Sequence, residues 1–151
     1  QRLVRRVCSN CKVKYEPDDA ELAGAKVKRT TTLRELRFTD EALSGAKNNA
    51  QAYAKPFLEH LSLDTTIGEL PFFKGHGCDA CGGTGLKGRQ GLYEVMFLTP
   101  TIKKLVMQNV DVQQLREGAI DEGMLTLRMD GWLKVLKGVT TLDQVIRETS
   151  S

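Results

Sequence analysis

Cys8-Ser9-Asn10-Cys11 and Cys78-Asp79-Ala80-Cys81 hold all four cysteines of this 151-residue chain. Two CxxC pairs facing each other supply the four thiolates that tetrahedral Zn²⁺ takes in closed structural sites. Between Cys11 and Cys78 lie 66 residues, more than a compact zinc ribbon uses, so the spacing supports coordination by Cys8, Cys11, Cys78 and Cys81 without specifying a ribbon. One zinc ion per chain would staple two distant stretches together. Such a site is worth about 10–16 kcal/mol in zinc-finger peptides, comparable with the roughly 5–15 kcal/mol net stability of a whole domain. Its loss is therefore expected to unfold at least the first half. Two readings compete: a redox CxxC, which would want a βαβ setting that the pattern lacks, and unrelated buried thiols. His76, two residues before Cys78, is a candidate substitute ligand, weighed against a loop histidine beside the site; for His60 the loop reading is the stronger still.

The rest of the chain offers little other chemistry. Gly83-Thr84-Gly85-Leu86-Lys87-Gly88 matches GxGxxG in form, but that motif cradles a dinucleotide only between a strand and a helix N-terminus, and here it trails a cysteine knuckle. Arg89-Gln90 stands where a Walker A box needs Lys and Ser/Thr. No histidine is paired with a Ser or Cys nucleophile, and no carboxylate pair is singled out for acid/base work. No catalytic or nucleotide-binding residue is assigned.

The elements that must position the cysteines follow from pattern and punctuation. Residues 1–7 lean to a strand leading into Cys8. Tyr15-Glu16-Pro17-Asp18-Asp19-Ala20-Glu21-Leu22 reads as a turn opening a short helix, with Pro17 near its first position and acids in its first turn. From about Ala25 to Glu69 apolar periodicity is modest, and the stretch reads as an insertion packed on a finished domain and partly mobile. Its best helical face is Ala42, Ala46, Ala50, Tyr53, Phe57 and Leu61, interrupted by Pro56. Residues 71–88 read as turn and knuckle, and Gly91–Thr99 as a strand. Thr99-Pro100 opens a helix to about Gln108, Asp111 opens another that Gly123 closes, and Thr141 opens a last short one. Between them Leu125, Met129, Trp132, Leu133 and Leu136 form a core face ahead of Gly138. The expected fold class is α+β: a small tetracysteine zinc subdomain with short strands over 1–98, with the insertion at about 25–69, then a compact helical C-terminal subdomain over 99–151.

A hydrophobic content of 40% suits a globular chain, and a net charge of +3 does not by itself call for nucleic acid or membrane. The basic excess is local, in Arg2, Arg5, Arg6, Lys12 and Lys14 and again in Lys26, Lys28 and Arg29. No apolar run reaches the roughly 18–20 residues of a membrane span, and no signal-peptide pattern opens the chain. A reducing, cytoplasmic setting is expected, in which paired cysteines bind metal more often than they form disulfides. The first residue is Gln1 rather than Met, and a longer parent is expected.

Three segments resemble one family. They are Gln1-Arg2-Leu3-Val4-Arg5-Arg6-Val7-Cys8-Ser9-Asn10-Cys11-Lys12, Gly75-His76-Gly77-Cys78-Asp79-Ala80-Cys81-Gly82-Gly83-Thr84-Gly85, and Gly88-Arg89-Gln90-Gly91-Leu92-Tyr93-Glu94-Val95. Together with Glu122-Gly123-Met124, Thr126-Leu127-Arg128 and Gly138-Val139-Thr140-Thr141-Leu142, they look like the C-terminal region of the type II secretion and type IV pilus assembly ATPases, the GspE/PilB-like members of the secretion ATPase superfamily. The resemblance implies that the four cysteines hold a structural zinc in a subdomain following a RecA-like core. ATP and Mg²⁺ would bind only in that upstream core, so this region would not hydrolyse ATP alone. It also implies a homohexamer with contacts to its own core and neighbouring subunits, an inner-membrane platform protein as partner, and a cytoplasmic place at the inner membrane. The stretch from about Ala25 to Glu69 is longer than the family's usual link and could dock a regulatory protein. Two other classes fit parts of the pattern. Cys78-Asp79-Ala80-Cys81-Gly82-Gly83-Thr84-Gly85 suits one CxxCxGxG repeat of a DnaJ-type zinc chaperone or adaptor, though those carry several. The basic N-terminal run suits a nucleic-acid-binding zinc module, though the aromatic interleaving of single-strand binders is missing.

Overall fold

The computed structural model describes residues 1–44 and 60–150. The expected α+β class holds: four short strands surround the cysteines, and four of the helices follow them. Strand β1 (Arg2–Val7) runs into the first CxxC and β2 (Lys12–Tyr15) runs out of it, while β3 (Phe72–Gly75) and β4 (Leu86–Leu92) do the same for the second. β1 pairs antiparallel with β4, and β2 antiparallel with β3. Each CxxC is thus a turn between two strands, and each of those strands pairs with one from the other turn. Pairing carries the two knuckles toward each other.

Helix α1 (Asp19–Gly24) is capped by Asp18, whose carboxylate accepts from Glu21 N–H, and α2 (Asp40–Ser44) follows. Of the helical face expected over 39–61, Ala42 is buried and Leu61 partly so; Ala46, Ala50, Tyr53 and Phe57 lie outside the described residues. The rest of the 25–69 stretch is ordered by a repeat that pattern reading missed. Thr31-Thr32-Leu33-Arg34-Glu35-Leu36 and Thr65-Thr66-Ile67-Gly68-Glu69-Leu70 meet at a Thr32–Thr66 bridge, with Leu33 N–H donating to Thr65 O (3.1 Å) and Ile67 N–H to Thr31 O (2.8 Å). Glu35 and Glu69 each accept from the backbone and hydroxyl of the threonine three residues earlier, which holds both carboxyls below their ordinary range.

Leu33 and Ile67 point into the main core, which they share with Leu22, Val27, Phe72, Leu125, Trp132 and Leu133. The stretch from 25 to 69 therefore contributes to the same core as the C-terminal helices. Tyr15, Phe72 and Trp132 stack edge to face through it, with centroids 6.5 and 6.3 Å apart. As expected, the face with Met129, Trp132 and Leu136 is core.

The C-terminal helices begin where capping chemistry puts them: α3 (Pro100–Met107) after Thr99, α4 (Val112–Asp121) after Asp111, α5 (Leu127–Leu136) after Thr126 and α6 (Leu142–Thr149) after Thr141. Each of those side chains accepts from the N–H three residues on. Gly123 and Gly138, at φ 96° and 68°, end α4 and α5. A small second core of Ile102, Ala119, Ile120 and Met124 joins α3 to α4.

One expected strand is displaced. Pairing ends at Leu92, and Tyr93–Thr99 is irregular, because its polar groups are engaged by helices α4 and α5 rather than by a neighbouring strand. Tyr93 N–H donates to Asp130 Oδ2 (2.8 Å), and Glu94 Oε2 accepts from Leu127 N–H (3.0 Å) and Arg116 Nη2 (3.3 Å). The strand instead starts at Leu86, inside the stretch read as knuckle, and β3 likewise occupies 72–75.

Asp130 also receives Lys134 Nζ, and the two side chains are only 1% and 4% exposed. The Lys134 ammonium lies 5.3 Å from the Tyr93 ring centroid. This pair pins α5 to the end of β4. Asp130→Asn keeps an acceptor but loses the charge opposite a buried ammonium, so it is expected to cost about 1.5–3 kcal/mol. Urea denaturation of the variant reads this directly.

Candidate metal centre

The four sulfurs come together as the sequence leads one to expect. All lie within 4.8 Å of one another. Sγ···Sγ separations are 3.9 Å for Cys8–Cys78, 3.9 Å for Cys11–Cys81 and 3.8 Å for Cys78–Cys81. Four sulfurs at the Zn–S distance of about 2.3 Å form a tetrahedron with edges of about 3.8 Å. A disulfide needs about 2.05 Å, and all four thiols are free. Soft sulfur donors with these edges fit a four-coordinate zinc ion.

Backbone hydrogen bonds fix each knuckle. Cys11 N–H donates to Cys8 O, and Cys81 N–H to Cys78 O, so each CxxC is a closed turn. Cross-links then join the turns: Cys8 N–H to Gly85 O (2.9 Å) and His76 N–H to Cys11 O (3.2 Å). Gly75 and Gly85 approach so closely that a Cβ on Gly75 would lie 2.2 Å from Gly85 O, and one on Gly85 would lie 2.2 Å from Gly75 O. The sequence marks these residues as glycine-rich knuckle, but not that two of them touch. That contact depends on which strands pair.

The electrostatics are uneven. Burial opposes ionisation of Cys81, yet Cys78 N–H (3.3 Å) and Gly85 N–H (3.2 Å) donate to its sulfur, and the Cys78 and Cys11 thiols add to them. The balance brings the Cys81 thiol down to about 6. Burial pushes the Cys11 thiol up to about 12, against a backbone hydrogen bond from Gly77 and with the other three thiols reinforcing it. Donors aimed at sulfur favour the thiolate that a metal ligand must be. His76 is exposed and stands outside the sulfur group, and His60 is exposed as well.

The site is also tied to the C-terminal helices. Val7 N–H donates to Val139 O (2.9 Å), Thr140 Oγ1 to Arg5 O (2.7 Å), Arg5 N–H to Gln144 Oε1 (3.1 Å) and Lys12 Nζ to Gly138 O (3.3 Å). Both strands that leave the first knuckle are held by residues 138–144. Among the described residues, no helix is long and apolar enough to cross a membrane.

Comparison with known proteins bears on what carries such a centre. The family model described as "Type II/IV secretion system protein" matches residues 1–147. The chain belongs to this family. Its relatives within the type II/IV secretion family include the type IV pilus assembly ATPase PilB of Thermus thermophilus, 34% identical over 149 residues, which are 99% of this chain and 13% of that protein. The type IV pilus assembly ATPase PilB of Pseudomonas aeruginosa is 32% identical over 149 residues, 99% of this chain and 20% of its own length. The type II secretion system protein E of the same organism is 30% identical over 149 residues, again 99% of this chain and 22% of its own. This chain thus spans 13–22% of the length of these three relatives. Both knuckles lie inside the matched region.

Proposed function

We propose that this chain is the C-terminal accessory region of a hexameric secretion-superfamily ATPase that drives type IV pilus assembly or type II secretion. Cys8, Cys11, Cys78 and Cys81 hold one structural Zn²⁺, which clasps the two knuckles and does no chemistry on a substrate. Residues 1–98 form the zinc-binding subdomain and 99–151 the helical one. ATP and Mg²⁺ bind in a core upstream, and this region alone does not turn over ATP. Its partners are that core, neighbouring subunits of the ring and an inner-membrane platform protein, which keeps the motor at the cytoplasmic face of the membrane. The 25–69 stretch is the place for a regulatory protein.

The observation that carries this reading is the cluster of four sulfurs set between four strands, in a chain whose relatives include a type IV pilus assembly ATPase and a type II secretion system protein. Elemental analysis of the purified chain is expected to give one zinc per chain, and an ATPase assay to give no turnover. The full-length parent is expected to hydrolyse ATP. Full occupancy by iron, or a folded chain that takes up no zinc from an equimolar supply, overturns the metal assignment. ATP turnover by this chain at a motor's rate overturns the division of labour.

A further inference from the structure

The two knuckles differ in access and in what reaches their sulfurs. Cys8 and Cys11 are only 1% and 3% exposed, whereas Cys78 and Cys81 are half-buried. Nothing roofs the second knuckle: Gly82 and Gly83 are exposed, and a Cβ built on either would meet nothing within 4 Å. Amide donors are unevenly shared as well. Cys78 N–H and Gly85 N–H donate to Cys81 Sγ, and the Gly77 backbone bonds to the Cys11 sulfur. Cys78 Sγ meets sulfur alone among the described residues, with Cys8 at 3.9 Å and Cys81 at 3.8 Å. An N–H donor draws charge from a thiolate and blunts it as a nucleophile, while burial bars an incoming reagent. Of the four sulfurs, Cys78 is the one that is both reachable and without such a donor.

We infer that the second knuckle is a peroxide sensor, in which Cys78 and Cys81 are oxidised together to a disulfide and the clasp opens. The inference rests on the zinc reading above and names how that site is regulated. Cys78 Sγ attacks one oxygen of hydrogen peroxide, the O–O bond breaks, and the hydroxide that leaves takes a proton to become water; the sulfur is now a sulfenic acid. Cys81 Sγ then attacks that sulfur, the S–S bond forms, the S–O bond breaks, and the second oxygen leaves as water with a second proton. Two electrons pass from the two thiolates to the peroxide, and both protons come from solvent. Cys81 is the second sulfur because it lies on the same accessible turn, so closing 3.8 Å to the roughly 2.05 Å of a disulfide needs no strand to shift against another. Cys8 is as near but buried, and it belongs to the opposite knuckle.

A disulfide sulfur is no thiolate, so zinc keeps only Cys8 and Cys11, half of what a closed site takes, and is released. The turns are then joined by hydrogen bonds alone, Cys8 N–H to Gly85 O and His76 N–H to Cys11 O. This is oxidation of a metal clasp rather than exchange of the thioredoxin kind, so it needs no βαβ setting.

Hydrogen peroxide added to the zinc-loaded chain tests this, with released zinc read by a chromogenic chelator, free thiols counted, and sulfenic acid trapped by dimedone and placed by peptide mapping. Zinc is expected to appear in step with the loss of two of the four thiols, and mapping to give a Cys78–Cys81 disulfide. Dimedone should mark Cys78 at least about five-fold above each other cysteine, following thiolate access. The oxidised chain should melt with the chelator-stripped one, and a thiol reductant plus zinc should restore it. Zinc release with all four thiols intact overturns the inference. So does a first sulfenic acid on Cys8, Cys11 or Cys81, a disulfide between the knuckles, which would keep them tied, or a loss that reductant and zinc do not reverse. If the chain holds no zinc at the outset, the proposed function fails first; if zinc is bound and survives peroxide that oxidises the chelator-stripped chain, the inference alone fails.

Discussion

Cys8→Ser is expected to abolish stoichiometric zinc binding and to collapse the sulfur-centred half of the chain. Cys8 is buried, its sulfur is one corner of the tetrahedron, and its N–H is one of the two backbone links between knuckles. A hydroxyl in its place is a hard, neutral donor where zinc takes a thiolate. If even half of the roughly 10–16 kcal/mol of a structural zinc site is lost, the deficit equals much of an ordinary domain's stability. Because β1 is bonded to residues 139–144, the damage should reach the C-terminal helices. The variant should melt at least 15 °C below the zinc-loaded chain. A strong chelator should lower the unaltered chain to the same point and shift the variant no further. A variant that keeps one zinc and an unchanged melt would show that the fourth sulfur is dispensable.

Gly75→Ala tests the same centre without touching a ligand. The added methyl would meet Gly85 O at 2.2 Å and Gly85 Cα at 2.6 Å, both backbone atoms with no side chain to swing aside. Ordinary contact starts near 3.4 Å, so the two arms must part by more than about 1 Å. That movement pulls on Cys8 N–H to Gly85 O and on Gly85 N–H to Cys81 Sγ together. The expected cost is about 3 kcal/mol or more, the upper end of what overpacking usually costs, with weaker zinc affinity in chelator competition. Gly24→Ala is the control, since a Cβ there meets nothing within 4 Å. It should stay within about 1 kcal/mol of the starting chain. A Gly75→Ala chain with unaltered melt and zinc affinity would mean that the knuckles tolerate separation.

The sequence by itself determined the features whose causes are local. Four cysteines in two CxxC pairs specify their chemistry by residue type, and the starts of the last helices were legible from Thr99-Pro100, Asp111 and Thr141, because a capping hydrogen bond spans three residues. The apolar face through Met129, Trp132 and Leu136 was legible for the same reason: helical period is a local property. Tertiary structure alone decided the rest. Val95–Leu98 is apolar enough for a strand but has none to pair with among the described residues, while glycine-rich Leu86–Leu92 pairs because β1 lies alongside it. The buried Asp130–Lys134 pair left a trace as an i,i+4 couple in an apolar helix, but its partner at Tyr93 did not. Leu33 and Ile67 sit 34 residues apart in a repeat too short to notice and meet only in the folded core. The approach of Gly75 to Gly85 belongs to this class as well. Capping and periodicity are written within a turn or two of chain, whereas pairing and burial depend on what else arrives at the same place.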